Sequence, residues 1–316
     1  MKEISKEDRT WKEIMVSRTL HVFALGYEER CLAYPGVLSD EGLSGKHRFL
    51  CIVPPDEHVT WYLKRVREQH RTRIMEMLPG THTGPWPEIR DEISRDQDLW
   101  DTYCLDISSL PRSLIFEALE QMNDAVQLGK NAFVVYTFPA DYAYGPLQSP
   151  ASDVTIHFPE PRLRANVKIA TFLIPGFDVE YTNLALAYIK GATQLAPDIR
   201  WLLPFPGRRY AFYERALERH AELLADSKLV LFPQDELALA LKELVKQAES
   251  VPALPVYFVP LGSRINCIPV FLATLLIRMQ NRDANILYPK TLRHSSIRST
   301  GFTTPLIERL PTNPSQ

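Results

Sequence analysis

The chain has 316 residues, of which 45% are hydrophobic and 23% charged, and its formal net charge is −2. That composition is globular, and at about 100–200 residues per domain it allows two domains, each long enough to bury its own core. A charge so near zero excludes a molecule-wide basic field of the kind that gathers nucleic acid.

The opening "MKEISKEDRTWKEI" is charged and lacks the apolar core of a signal peptide. No apolar stretch approaches the ~20 residues of a membrane helix. Cys31, Cys51, Cys104 and Cys267 form no CxxC or metal-ligand spacing. They read as free thiols in a reducing cytoplasm, with no membrane association.

In chain order the apolar runs are "HVFALG", "RFLCIVP", "TYCLDIS" and "NAFVVYT", then "KIATFLIPG", "IRWLLPFP", "KLVLFP", "PVYFVPLG" and "ANILYP". Their apolarity is continuous rather than alternating, which predicts strands buried on both faces of a mostly parallel sheet. Between them, residues 59–78, 111–126, 210–225, 236–250 and 266–280 carry helical spacing. Ser109 and Pro111 read as a cap and an opening residue. The basic run "KRVREQHRTR" (64–73) reads as a solvated helix face. Residues 79–98, with three prolines, read as an irregular excursion. Strand and helix in alternation predict an α/β fold with right-handed crossovers.

The two halves match in outline. "VFALGYEERCLAYPGVL" pairs with "FLIPGFDVEYTNLALAYI", and "RFLCIVPPDEHVTWYLKRV" with "RWLLPFPGRRYAFYERAL". "LDISSLPRSLIFEALEQM" pairs with "VPLGSRINCIPVFLATLLIRM", and "AFVVYTFPADYAYGPLQS" with "ANILYPKTLRHSSIRSTG". The matches fall in the same order, which predicts an internal duplication: two tandem Rossmann-like, three-layer halves with mostly parallel sheets. The expected division is 1–145, a linker at 146–165 rich in Pro, Ser and Gly, and 166–316, with the last residues of the tail frayed.

Ligands of parallel α/β sheets bind at the carboxyl ends of the strands. The residues that follow the runs are therefore the candidates: Gly26, Tyr27, Glu28, Glu29 and Arg30; Asp106, Ser108, Ser109 and Arg112; Thr137; Gly176 and Asp178; Arg208 and Arg209; Gly262, Ser263, Arg264 and Asn266. Arg208, Arg209 and Arg264 with the Gly262–Ser263 turn at a helix start suit a phosphate; the alternative is that the turn only joins a strand to a buried helix. No Walker A loop or GxGxxG string is present. Glu28 and Glu29 admit three readings: a catalytic nucleophile or base at a sugar carbon, a ribose-binding acid, or acids complementing a helix dipole. Asp106 is a ribose ligand, a base or a capping residue. The eight histidines show no HxxxH or HExxH, so no metal and no cofactor are expected.

The segment "VPLGSRINCIPVFLATLLIRMQNRDANILYP" (259–289) resembles the strand–turn–helix–strand of CARF-type Rossmann sensor domains. The resemblance covers that segment alone, and Gly262–Ser263–Arg264 stands where those domains carry a Gly-Gly-Thr-Lys-like string. "GYEER", "DIS" and "PLG" resemble elements of uncharacterised bacterial proteins found in defence-type gene clusters. Both resemblances imply nucleotide binding and transfer no catalytic residue. The expectation is a sensor in antiviral defence that takes a nucleotide or other phosphorylated small molecule in a cleft between the halves. Gly26, Tyr27, Glu28, Asp106, Ser108, Arg208, Arg209, Gly262, Ser263 and Arg264 are its ligand-binding set. One alternative is a nucleoside or nucleotide hydrolase or transferase using Glu28, Glu29 or Asp106. The other is an interaction subunit whose protein partner is encoded nearby.

Overall fold

The computed structural model describes residues 2–5, 8–43, 45–55, 59–142, 151–158, 166–176, 178–193, 195–204, 214, 217–224, 228–234, 236–252, 254–291 and 299–312. The chain divides into two compact units, 1–146 with 294–314, and 147–293.

The first unit opens with β1 (Lys2–Glu3), α1 (Arg9–Val16), β2 (Thr19–Ala24), α2 (Ala33–Asp40), β3 (His47–Ile52) and α3 (Trp61–Met77). It continues through β4 (His82–Gly84), α4 (Trp86–Arg95), β5 (Thr102–Asp106), α5 (Arg112–Gln127), β6 (Asn131–Tyr136) and β7 (Pro139–Tyr142). The second unit contains β8 (Ala151–Ile156), β9 (Ala170–Ile174), α6 (Val179–Thr193), β10 (Asp198–Pro204), α7 (Ala221–Leu224) and β11 (Lys228–Phe232). It ends with α8 (Leu237–Glu249), β12 (Val256–Pro260), α9 (Cys267–Met279) and β13 (Ala284–Thr291). The chain then returns to the first unit through β14 (Ser299–Phe302) and β15 (Leu306–Arg309).

Every apolar run singled out from the sequence is a strand. The sheet orders are β1-β15-β6-β5-β2-β3-β4 and β11-β10-β9-β12-β13-β8. Taken from the first parallel strand of each unit, β2 and β9, both sheets run 3-2-1-4-5, with an antiparallel strand beside the fifth. That is the Rossmann half-order, whose direction reverses between strands 1 and 4. The shared order is what an internal duplication leaves behind. All residues of β2, β5, β9 and β12 are buried, so both sheet faces are covered and the fold is three-layered.

Three local expectations are corrected. Residues 79–98 hold β4 and α4, with Trp86, Ile89 and Ile93 buried, because the prolines flank or open the helix rather than break it. The stretch at 146–165 contains β8, which pairs antiparallel with β13. The tail expected in the second half supplies β15, paired antiparallel with β6 of the first sheet, as β1 is with β15.

The first core holds a directional hydrogen-bond chain. His47 Nε2 lies 3.2 Å from the Met15 carbonyl oxygen, which only accepts, so that nitrogen carries a proton. In the neutral ring His47 Nδ1 then accepts from His21 Nε2 at 3.0 Å, and His21 Nδ1 accepts from the Tyr34 hydroxyl at 2.8 Å. Cys104 bonds to Tyr34 at the far end. A proton added to either ring would set two N–H groups against each other. Burial, followed by His47, holds His21 well below its ordinary pKa, and burial lowers His47 as well. The unfolded chain therefore takes up protons below about pH 6.5 that the folded chain refuses, and stability falls as pH falls through that range. Between pH 6.5 and 5 the unfolding free energy of His21→Gln is expected to fall less steeply than that of the parent, by about 1 kcal/mol per pH unit. Urea unfolding across that range measures it, and parallel slopes would show that His21 takes up its proton in the folded state.

Candidate functional site

In each unit the strand-order reversal places the loops after strands 1 and 4 side by side. In the first unit Gly26 faces Ser109: a β-carbon at Gly26 would stand 2.8 Å from Ser109 Oγ and 2.9 Å from its Cβ. In the second, a β-carbon at Gly176 would stand 2.3 Å from the Leu261 carbonyl oxygen, and one at Gly262 would stand 3.0 Å from the Pro175 carbonyl oxygen. Gly26 and Gly176 each follow the last strand residue by two positions. The equivalence expected of these corners is therefore structural.

Beyond that frame the corners differ. The first is filled by its own side chains. Arg30 pairs with Glu28 at 2.5 Å, with Arg30 only 5% exposed. The Glu29 carboxylate accepts from the Gly301 N–H of β14 at 3.0 Å. Asp106 accepts from the Ser108 N–H at 2.9 Å and from the Ser108 hydroxyl, which itself accepts from the Thr137 N–H at 2.8 Å. Asp106 thus braces its own loop and the end of β6. Cys31 lies among these charges: burial, then Asp106 and Glu28 against Arg30 and a bond to Gly26, push its thiol up to about 12. A thiol held protonated in this way is no nucleophile near neutral pH.

Two residues of α3 complete the first corner, against the expectation of a solvated basic face. Arg67 and His70 are buried with Leu63 and Ile74 in the stripe that α3 turns inward. His70 Nδ1 donates to the Gly26 carbonyl at 2.9 Å. Arg67 donates to the Pro54 carbonyl at 2.9 Å and lies over the Tyr27 ring at 5.2 Å. Their spacing from Leu63 and Ile74 was the available signal; composition alone hid it.

The second corner is built mostly from main chain. The N–H groups of Leu261 and Gly262 both reach the Ile174 carbonyl, at 2.9 and 3.2 Å. Asp178 accepts from the Glu180 N–H at 3.2 Å, opening α6. His220 occupies a place like that of His70, in the segment after strand 2, and its Nε2 meets the Thr182 hydroxyl at 2.9 Å. Ser263 and Arg264 are partly buried in a 3₁₀ turn, where Ser263 makes no side-chain capping bond. Asn266 starts the 13-residue α9 and is 1% exposed. Both its amide atoms are buried without a hydrogen-bond partner. Its nitrogen would be 3.1 Å from a β-carbon at Gly262, so the amide lies under the turn.

No protein-family model matches the chain, and no curated protein does. A solved structure from Pseudomonas aeruginosa, described as a universal stress protein, is similar at 13% identity, over 88% of this chain and 95% of that one, with a TM-score of 0.26. The fold assignment rests on the strand pairing itself.

The structure brings Gly26, Glu28, Arg30, Asp106, Ser108 and Ser109 together in one unit, and Gly176, Gly262 and Asn266 in the other. Arg208 and Arg209 lie outside the described residues. Ser109 does not cap α5, whose cap position is Pro111. Among the described residues no group of His, Cys, Asp and Glu is placed to hold a metal ion. No described helix is long and apolar enough to cross a membrane.

The buried Glu28–Arg30 pair has a direct test. Arg30→Ala leaves the Glu28 carboxylate uncompensated and is expected to cost about 3–5 kcal/mol, whereas the double change Glu28→Gln with Arg30→Met should recover most of that loss. Chemical denaturation of the three proteins decides it; an additive double variant would show that the pair is not coupled.

Proposed function

We propose that this chain binds a phosphorylated small molecule, of which nucleotides are the leading class, and that the second unit does so at the turn Gly262–Asn266. The carrying observation is Asn266. A buried amide with neither atom bonded costs about 1–3 kcal/mol, and such costs gather where a ligand completes the structure. Its surroundings suit an anion. Helix α9 opens with no side-chain cap and no acidic residue in its first turn, Arg264 precedes it, and the glycine main chains at 176 and 262 leave room for a close approach. Helix N-termini hold phosphate through main-chain N–H groups and the helix dipole.

The sensor role, the CARF-like reading of the turn, the defence setting and a partner encoded nearby extend this reading. The four buried free thiols support a reducing compartment such as the cytoplasm. Hydrolysis or transfer by Glu28, Glu29 or Asp106 has no observation of its own, because each carboxylate already accepts a hydrogen bond or holds an ion pair.

The test is Asn266→Leu, studied by calorimetric titration with ADP, ATP and inorganic phosphate. The variant is expected to lose one binding event per chain and, freed of an unpaired amide, to melt a few degrees higher without ligand, as about 1 kcal/mol of stabilisation implies. A variant that melts lower and binds as the parent does would overturn the reading.

A further inference from the structure

The first unit holds buried polar groups of its own that α3 and the acids do not use. Thr137 is fully buried, and its hydroxyl has no hydrogen-bond partner; the Ser109 hydroxyl is buried and unpartnered as well. Both stand at the carboxyl edge of the sheet, on either side of the loop that opens α5. Thr137 follows β6 and is fastened to that loop by its N–H bond to Ser108 Oγ. Ser109 faces Gly26, at the end of β2. The unpaired hydroxyls of Thr102 and Thr171 lie instead at or near the amino ends of β5 and β9.

Helix α5 repeats the features of α9. It has 16 residues, no side-chain cap and no acid in its first turn, and it starts with an arginine, Arg112. A group that accepts hydrogen bonds and carries negative charge meets both hydroxyl donors, the helix N–H groups and the guanidinium at once. A ligand that mainly donates would find little here to accept from, since the nearest acid, Asp106, is taken up by Ser108.

We infer that the first unit has a second phosphate-binding site, at the α5 N-terminus with Thr137 and Ser109, so that each chain takes two phosphorylated groups. This site stands on residues of the first unit alone and does not need the Asn266 site.

The probe is inorganic phosphate, then ADP, titrated calorimetrically into the full chain. Parent protein should bind two equivalents, and Thr137→Val, which removes the hydroxyl at nearly constant shape, one. Asn266→Leu should also bind one, and the double variant none. Thr137→Ser, which keeps a hydroxyl, should bind within a fewfold of the parent, whereas Thr137→Val should weaken its site about tenfold or more. Melting curves of each variant confirm folding. One equivalent in the parent, kept by Thr137→Val and lost by Asn266→Leu, would sink the second site and leave the Asn266 reading standing. One equivalent lost by Thr137→Val alone would do the reverse. No binding by the folded parent would end both.

Discussion

The carbonyl oxygen of Leu261 occupies the space that any side chain on Gly176 would need, and Ser109 does the same at Gly26. The carboxyl edge of each sheet depends on this exclusion. Crossovers leave strands 1 and 4 in opposite directions, which opens a crevice in every sheet of this order. Here the two loops are drawn together across it by main-chain contact, with the N–H groups of Leu261 and Gly262 sharing one carbonyl. A methyl group at either glycine would push the loops apart and carry the start of α5 or α9 away with it.

On this common frame the two units spend their buried polar groups differently. The first encloses a thiol, an ion pair, a histidine and a braced aspartate, nearly all of them satisfied by one another. An ion pair of this kind repays desolvation only when its geometry is good, and so it favours one arrangement of the corner over others. The second relies on glycine and main chain and leaves one amide unanswered. Residues equivalent by descent have come to serve rigidity in one unit and openness in the other. His70 and His220 show what both kept, a ring from the segment after strand 2 that reaches the strand 1 corner.

Legibility in the sequence followed the range of the interaction involved. Continuous apolar runs marked the parallel strands because burial on both faces leaves no polar alternation, and the ordered matches between halves anticipated the shared sheet order. Short antiparallel strands escaped. "LIER" at β15 and "ASDVTI" at β8 have little apolar character of their own and become strands by pairing with β6 and β13. Arg67 and His70 were misplaced because charge outweighed periodicity in the reading of α3. Glu28, Asp106, Gly262 and Asn266 were found as loop residues after strands. Whether each acid is already bonded, and whether an amide is left unbonded, depends on partners distant in sequence, such as Thr137 for the Asp106 loop and Gly301 for Glu29. No local pattern carries that information.

The return of β15 to the first sheet makes the second unit an insertion within the first. As the polypeptide leaves the ribosome, β6 is complete at residue 136, yet the strand that covers its outer edge comes only at residues 306–309. Throughout the intervening synthesis β6 presents unpaired main-chain groups, the kind of edge on which nascent chains associate wrongly. The second unit, by contrast, draws all its strands from one continuous stretch and can close its sheet as soon as β13 has emerged. Biogenesis would then run against the order of the sequence, with the inserted body finishing first and the enclosing one last.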